Sequence, residues 1–566
     1  MKDDHAFAAK LRSLAVQHLG ITPRKTQTTA AALLQRRVIV EMETGEGKTL
    51  TVAMAAIAMA TTGKRVYVAT ANDYLAARDA EAMNPLFEGY GLRASSLSST
   101  LPREQRRSVY ACEIIYGTIR ELGFDSLRDE LESRKNGSSA SNLVPKSLSL
   151  IVDEADSVLI DEALSPLVIN EVGFEQTAEK TMLYRWSAIQ AAQMSIGRDY
   201  VIHSASNAIA LTDQGIARIV RSLMPTEMAE FRMHDILNSL ERAIDVASRY
   251  QRDAHYLIRN NQVMLIDSNT GRIASSKKLS SGLHQAIEAK ERLPITNSGK
   301  TTARMSIQEL VNRMPHLSGV TGTAFEERRE LRTVYGLQVK RSYPHVPSRR
   351  IRLSTRVFAD NHQKLIGIVN ETRDLLFSGR AVLVGTQTID QSERISRLMD
   401  DQGITHVVLN ARQSSDEAGI VALAGQSKRV TVATNMAGRG TDIRISEDVR
   451  EAGGLHVVVA EPHLIARIDR QLAGRCARQG DPGTVRHYLA PDDQLFKIAS
   501  QQSYLKRFGR QVSRLELAWR AIRSQRMIGR LQREHRYRLA ASESQLAEDF
   551  EELSLSPHLD RPTADD

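Results

Sequence analysis

At 566 residues, 42% of them hydrophobic and 25% charged, the chain has room for three or more domains and the make-up of a soluble globular protein. Its net charge of +9 favours acidic partners, whether phospholipid headgroups, nucleic acid or acidic protein surfaces. Cys112 and Cys476 form no CxxC pair, so no zinc site is expected, and two isolated thiols suit a reducing cytosol. The start, MKDDHAFAAK, has acidic residues and no apolar core, so no signal peptide is expected there, and the longest apolar stretch, VAMAAIAMA, is too short to span a membrane.

The first chemistry-bearing element is EMETGEGKTL at 41–50. A short β-branched run at Val38 precedes it, and an apolar stretch of helix formers follows, giving strand, glycine loop and buried helix. That order suits a phosphate loop, because backbone N–H groups and the helix N-terminus supply the positive field. Gly45 and Gly47 let the backbone approach phosphates, Lys48 pairs with the β- and γ-phosphates of ATP, and Thr49 ligates Mg²⁺. The usual leading glycine is replaced by Met42, and a carboxylate, Glu46, sits inside the loop, tolerated if its side chain points outward.

SLSLIVDEAD at 147–156 reads as an apolar strand with carboxylates at its C-terminal edge, where α/β proteins bind ligands. Asp153 is placed to hold Mg²⁺ through water, and Glu154 to orient and polarise an attacking water. Further on, AVLVGT, THVVLN, VTVAT and LHVVVA are short β-branched runs separated by helical stretches, the pattern of a second parallel sheet. After the last of them, RIDRQLAGRCARQGDPG carries Arg475 and Arg478 three apart, expected on one helix face and able to reach a γ-phosphate across a cleft. Near the end, Leu505, Phe508, Val512, Leu515, Trp519 and Ile522 form an apolar seam of one helix, expected to pack on the preceding domains. Residues 501–540 hold 11 basic and 2 acidic side chains, whereas 541–566 hold 1 basic and 8 acidic; that tail is expected to be disordered.

Taken together, these blocks resemble SecA, the ATPase motor of bacterial protein export, over roughly residues 15–530. The likeness rests on EMETGEGKT, VYVATANDYLAARDA (66–80), YGTIRELGFDSLRDE (116–130), IVDEADSVLIDEALSPLVIN (151–170), GVTGTA (319–324), AVLVGTQTIDQSE (381–393), TVATNMAGRGTDI (431–443) and GGLHVVVAEPHLIARIDRQLAGRCARQGDPG (453–483). Loops of that family also lack the leading glycine. The resemblance implies an α/β fold of two RecA-like parallel-sheet motor domains, an inserted preprotein-binding domain and a C-terminal helical segment. Laid on this chain, the parts are 1–170 and 295–345 for the first motor domain, 171–294 for the insertion and 346–495 for the second motor domain. A shortened helical scaffold at 496–540 and the acidic tail at 541–566 are expected to follow, without the wing, helical hairpin and zinc tail of full-length members.

By the same resemblance the loop residues Gly45 to Thr49, Glu46 among them, bind the nucleotide, Gln27 reads adenine, Arg439 and Asp442 join the nucleotide site, and Thr321-Gly322-Thr323 couples it to domain motion. Leu164-Ser165 stands where the family usually has Arg-Thr, and Ser268-Asn269 where it usually has an acidic residue before TGR. The implied cofactors are ATP and Mg²⁺. Implied partners are an unfolded preprotein, a SecYEG-type membrane channel, an anionic phospholipid surface, and a second copy or a full-length SecA. The implied place is the cytoplasm and the inner face of the plasma membrane. Two alternatives remain: a nucleic-acid-dependent helicase-type ATPase, disfavoured by an aromatic content of 5%, and an accessory protein without independent translocation.

Overall fold

The computed structural model describes the chain except residues 1, 137–141, 171–176, 203–208, 229, 267–272, 275–278, 280–281, 297–300, 410–416, 435–441, 502–513, 553–555, 557 and 560–566. Two parallel sheets organise it. The first runs in the order Gln338–Arg341, Val38–Glu41, His316–Thr321, Leu148–Asp153, Arg65–Thr70, Ile114–Thr118, Ala94–Ser96. Its central strands are buried on both faces, which is why they read as continuous apolar runs rather than alternating ones. Helix Lys48–Ala60, nearly all of it buried, covers one face.

The second sheet runs Arg349–Arg352, Pro482–Leu489, Leu455–Val459, Val382–Thr386, Val430–Thr434, Val407–Leu409, with Arg356–Val357 pairing the far end of Pro482–Leu489. Every pairing in both sheets is parallel. The fold class is therefore two RecA-like α/β units, with their strand C-termini opening toward a shared cleft.

Between them in sequence, Pro166–Asn170 and Thr301–Ser306 pair antiparallel and form a two-stranded stem. Residues between these strands build a separate body, in which helices Ala178–Ala191 and Met233–Arg249 pack together beside a sheet of Tyr256–Arg259, Gln262–Ile266 and Ile273–Ala274. Ser268-Asn269 lies outside the described residues.

Some of the blocks quoted from the sequence have structural roles. Asn72 accepts a hydrogen bond from Leu75 N at 2.8 Å and caps helix Asp73–Glu88. In GFDSLRDE, the fully buried Asp125 accepts from Arg106 and Tyr110, while Asp129 accepts from the backbone N–H groups of Leu143 and Val144. Buried carboxylates need such partners to offset desolvation.

Helix Arg514–Glu552 corrects two expectations. Leu515, Trp519 and Ile522 are 86%, 57% and 50% exposed, so this part of the seam does not pack on the motor domains; Leu505, Phe508 and Val512 lie outside the described residues. The buried stripe is Leu517, Ala521, Ser524 and Ile528, shifted by two residues to nearly the opposite face. Polar anchors select that face. Gln525 donates to His463 O and Asp469 at the second motor domain, and Arg533 and Arg536 pair with Glu327 and Glu330 at the first. Nor is the acidic tail without structure: the helix continues to Glu552, and Ser556, His558 and Leu559 lie on the first domain. Arg304 N donates to His558 O at 2.9 Å, and His558 Nε2 stands 2.8 Å from Glu309 Oε1. The described part of the tail thus meets the stem.

Candidate active site

The phosphate loop leaves strand Val38–Glu41 and enters helix Lys48–Ala60 through Gly45 (φ 92°) and Gly47 (φ 81°). Both need glycine. A Cβ on Gly47 would meet Gln27 Nε2 at 2.2 Å, and one on Gly45 would meet Arg478 Cβ at 3.1 Å. Lys48 Nζ lies 3.3 Å from Glu154 Oε1, and both side chains are mostly buried. Glu154 holds φ 58°, a left-handed conformation that a non-glycine residue keeps only where its surroundings fix it. Beside it the Asp153 carboxyl is pushed up to about 7, by burial first and then by the Glu154 charge, with Lys48 opposing.

A cavity of about 400 Å³ collects these groups. From the first domain come Gly45, Gly47, Lys48, Thr49, Asp153 and Glu154, together with Arg78 and Asp79 of the NDYLAARDA block. From the second come Asp442, Arg475 and Arg478. Arg478 Nε donates to Gly474 O, and its Nη1 lies 2.5 Å from Asp442 Oδ1. Arg439 lies outside the described residues. Gln27 is buried against the loop: its Nε2 donates to Glu46 O at 2.8 Å and its Oε1 accepts from Arg24 N at 2.9 Å.

Two sequence expectations are corrected here. Arg475 and Arg478 are not on a helix. Helix Ala466–Ala473 ends at Gly474, and Ala477, Gln479 and Gly480 take φ of 55°, 53° and 85°, which makes the segment a left-handed turn. Glu46 does not point outward. It is 5% exposed, and its carboxylate accepts from His345 N at 3.0 Å.

A second set of residues was missed from the sequence. Arg467, 1% exposed, crosses from the second domain to place Nη1 3.0 Å from Asp156 Oδ2 and Nη2 against Asp161. Gln471 donates to Asp156 and to Thr323 Oγ1, and Thr323 itself donates to Asp156. Burial pulls the Arg467 guanidinium down, but Asp161 and Asp156 more than offset this and its pKa is raised. Thr44 Oγ1 adds a direct bond to Gly474 O at 2.8 Å. Thr323 is the expected coupling threonine, whereas the fourth residue of Asp153-Glu154-Ala155-Asp156 was the overlooked signal.

The donor set fits a magnesium nucleotide. Left-handed glycines expose backbone N–H groups, and Lys48 already faces an anion in Glu154. One hydroxyl, Thr49, and one carboxylate, Asp153, suit a cation that keeps several waters and takes phosphate oxygens.

Such a cleft defines a nucleotide-binding motor of the two-RecA-domain class. The SecA DEAD-like domain family matches residues 4–332, and the SecA P-loop domain family matches 347–450 and 444–512. The chain belongs to the SecA family. Protein translocase subunit SecA 2 of Rhodopirellula baltica is 38% identical over 582 aligned residues, covering 97% of this chain and 87% of that protein. Protein translocase subunit SecA of Syntrophus aciditrophicus is 39% identical over 494 residues, covering 87% of this chain but 58% of its own length. The chain therefore spans less than two thirds of that second relative. Among solved structures it is similar to S. cerevisiae Dbp5 bound to RNA and ADP BeF3, at 13% identity, 88% and 92% coverage and a TM-score of 0.43. Among the described residues no helix is long and apolar enough to cross a membrane.

Proposed function

We propose that the chain is a SecA-type ATPase of the protein export pathway, hydrolysing ATP to drive the binding and movement of unfolded preprotein at a Sec membrane channel. The observation that carries the chemistry is one cavity holding Lys48, Thr49, Asp153 and Glu154 from one domain and Arg475 and Arg478 from the other. Thr49 and Asp153 would hold Mg²⁺, which when bound would supply charge neutralisation to the phosphates. Lys48 turns from Glu154 to the phosphates, which frees the carboxylate to orient water and accept its proton. Arg475 and Arg478 place positive charge where the transferring phosphoryl group needs it. Asp442 lines the nucleotide cavity, and Gln27 and Arg439 join it by family likeness.

Closure of the cleft moves one domain against the other, and the stem of Pro166–Asn170 and Thr301–Ser306 carries that motion to the inserted body, the site for unfolded preprotein. Anionic lipid at the inner face of the plasma membrane suits the basic charge, and a second copy or a full-length SecA is a further partner. The test is steady-state ATP hydrolysis alone, with channel-containing membranes plus an unfolded preprotein, and with RNA. Stimulation by channel and preprotein, lost in Glu154→Gln, supports export coupling. A rate raised by RNA alone rejects it in favour of a helicase-type activity.

A further inference from the structure

The segment joining the two sheets, 342–348, is held on both sides. Ser342 N donates to Glu41 O at 2.8 Å, just before the phosphate loop. His345 N donates to Glu46 Oε2 at 3.0 Å, inside that loop. On its other side, Val346 fills the space above Gly480, where a Cβ would stand 2.7 Å from Val346 Cγ1. Ser348 Oγ reaches Ala477 O at 3.4 Å. Two of the left-handed residues that shape the arginine turn, Ala477 and Gly480, are so braced. Non-glycine residues hold such backbone only when their surroundings over-determine it.

A carboxylate in an anion-binding loop opposes the phosphate charge, so its presence calls for a compensating role. Glu46 is buried, faces Arg24 Nη1 at 3.6 Å, and accepts the linker's N–H. We propose that Glu46 is a positioning residue for hydrolysis: through His345 N–H it holds the interdomain linker against the 477–480 turn and so sets Arg475 and Arg478. This rests on the ATPase reading above. Loop, linker and arginine turn then form one mechanical chain, so a phosphate that shifts the loop also shifts the arginines.

The experiment compares wild type, Glu46→Ala, Glu46→Gln, His345→Pro and the Glu46→Ala/His345→Pro double variant in ATP turnover, ADP affinity and melting temperature. Glu46→Ala is expected to lower kcat about tenfold, since small misplacements of charge-stabilising groups are costly, with ADP affinity held within about twofold. Glu46→Gln keeps an acceptor oxygen and recovers most of the rate. His345→Pro, which lacks the N–H, reproduces the loss, and the double variant falls no further. An unchanged kcat in Glu46→Ala, a Glu46→Gln variant as slow as Glu46→Ala, or losses that multiply in the double variant each overturn the proposal. Hydrogen exchange at the His345 amide separates the two readings. If the wild type hydrolyses no ATP, the ATPase reading fails on its own. Equal amide protection in wild type and Glu46→Ala overturns the tether whether or not ATP is turned over.

Discussion

Arg467 and Asp156 meet at 3.0 Å across the cleft between the two parallel sheets, with almost no exposure on either. Asp161 takes the other end of the same guanidinium. Removing one member of a buried ion network leaves the rest charged and desolvated, at a cost of about 3–5 kcal/mol. Arg467→Met is therefore expected to lower the urea midpoint strongly, and adding Asp161→Asn to recover part of that loss. A variant within about 0.5 kcal/mol of wild type would show that the contact is not kept in solution.

Lys48 and Glu154 are assigned separate tasks, and their variants should fail differently. Glu154→Gln keeps the shape of the site and is expected to bind ATP normally while turnover falls by about 10²–10⁴. Lys48→Ala removes the cation that faces the phosphates and is expected to weaken ATP binding as well. Arg478→Ala should leave ADP affinity nearly intact while reducing kcat by about 10²-fold or more. Equilibrium binding of a fluorescent nucleotide beside turnover measures all three, and a Glu154→Gln variant that fails to bind ATP would remove Glu154 from the role of water-orienting base.

The phosphate loop and the Asp153-Glu154 strand end were legible because local sequence dictates them: a β-branched strand, glycines that adopt φ > 0, and a helix follow one another without tertiary help. Both parallel sheets were legible for the same reason, as apolar runs. The arginine turn was misread because spacing three apart looks helical, whereas the left-handed Ala477 and Gly480 are met by Ser348 and Val346 from a distant segment, which local spacing does not reveal. Arg467 was missed because nothing local separates it from the other arginines of RIDRQLAGR; its partners lie about 310 residues away. The seam on the last helix failed similarly. Its periodicity was read well enough, but the buried face is chosen by Gln525, Arg533 and Arg536, whose partners periodicity does not reveal.

The C-terminal residues offer a stability test. His558 is buried, its carbonyl accepts from the stem at Arg304, and Leu559 joins the first domain's core. Deleting residues 553–566 is expected to expose the Arg304 amide to hydrogen exchange and to lower the melting temperature. His558→Ala should do so to a smaller degree, by about 1–3 kcal/mol, because the half-buried Glu309 carboxylate loses one of its partners. Unchanged exchange at Arg304 in both variants would mean that the tail does not rest on the stem in solution.

The second sheet carries a pH test at His456. This fully buried imidazole has its pKa pushed down to about 3, first by burial and then by Arg380, Arg486 and Arg356. In the unfolded chain it titrates near an ordinary value of about 6.5. Between the two values the unfolded state holds the extra proton, so stability rises with pH over that window. The contribution is complete above about 6.5 and is lost as pH falls toward the folded value, with a ceiling of roughly 5 kcal/mol. His456→Asn removes the titration and, with it, contacts such as that of Nδ1 with Thr484 Oγ1 at 2.6 Å. The variant should therefore be less stable than wild type at pH 7.5, and the gap should narrow steadily through pH 6 to pH 4.5. Urea unfolding at those three values measures the gap, and a difference that stays constant with pH would show that His456 is not held neutral in the fold.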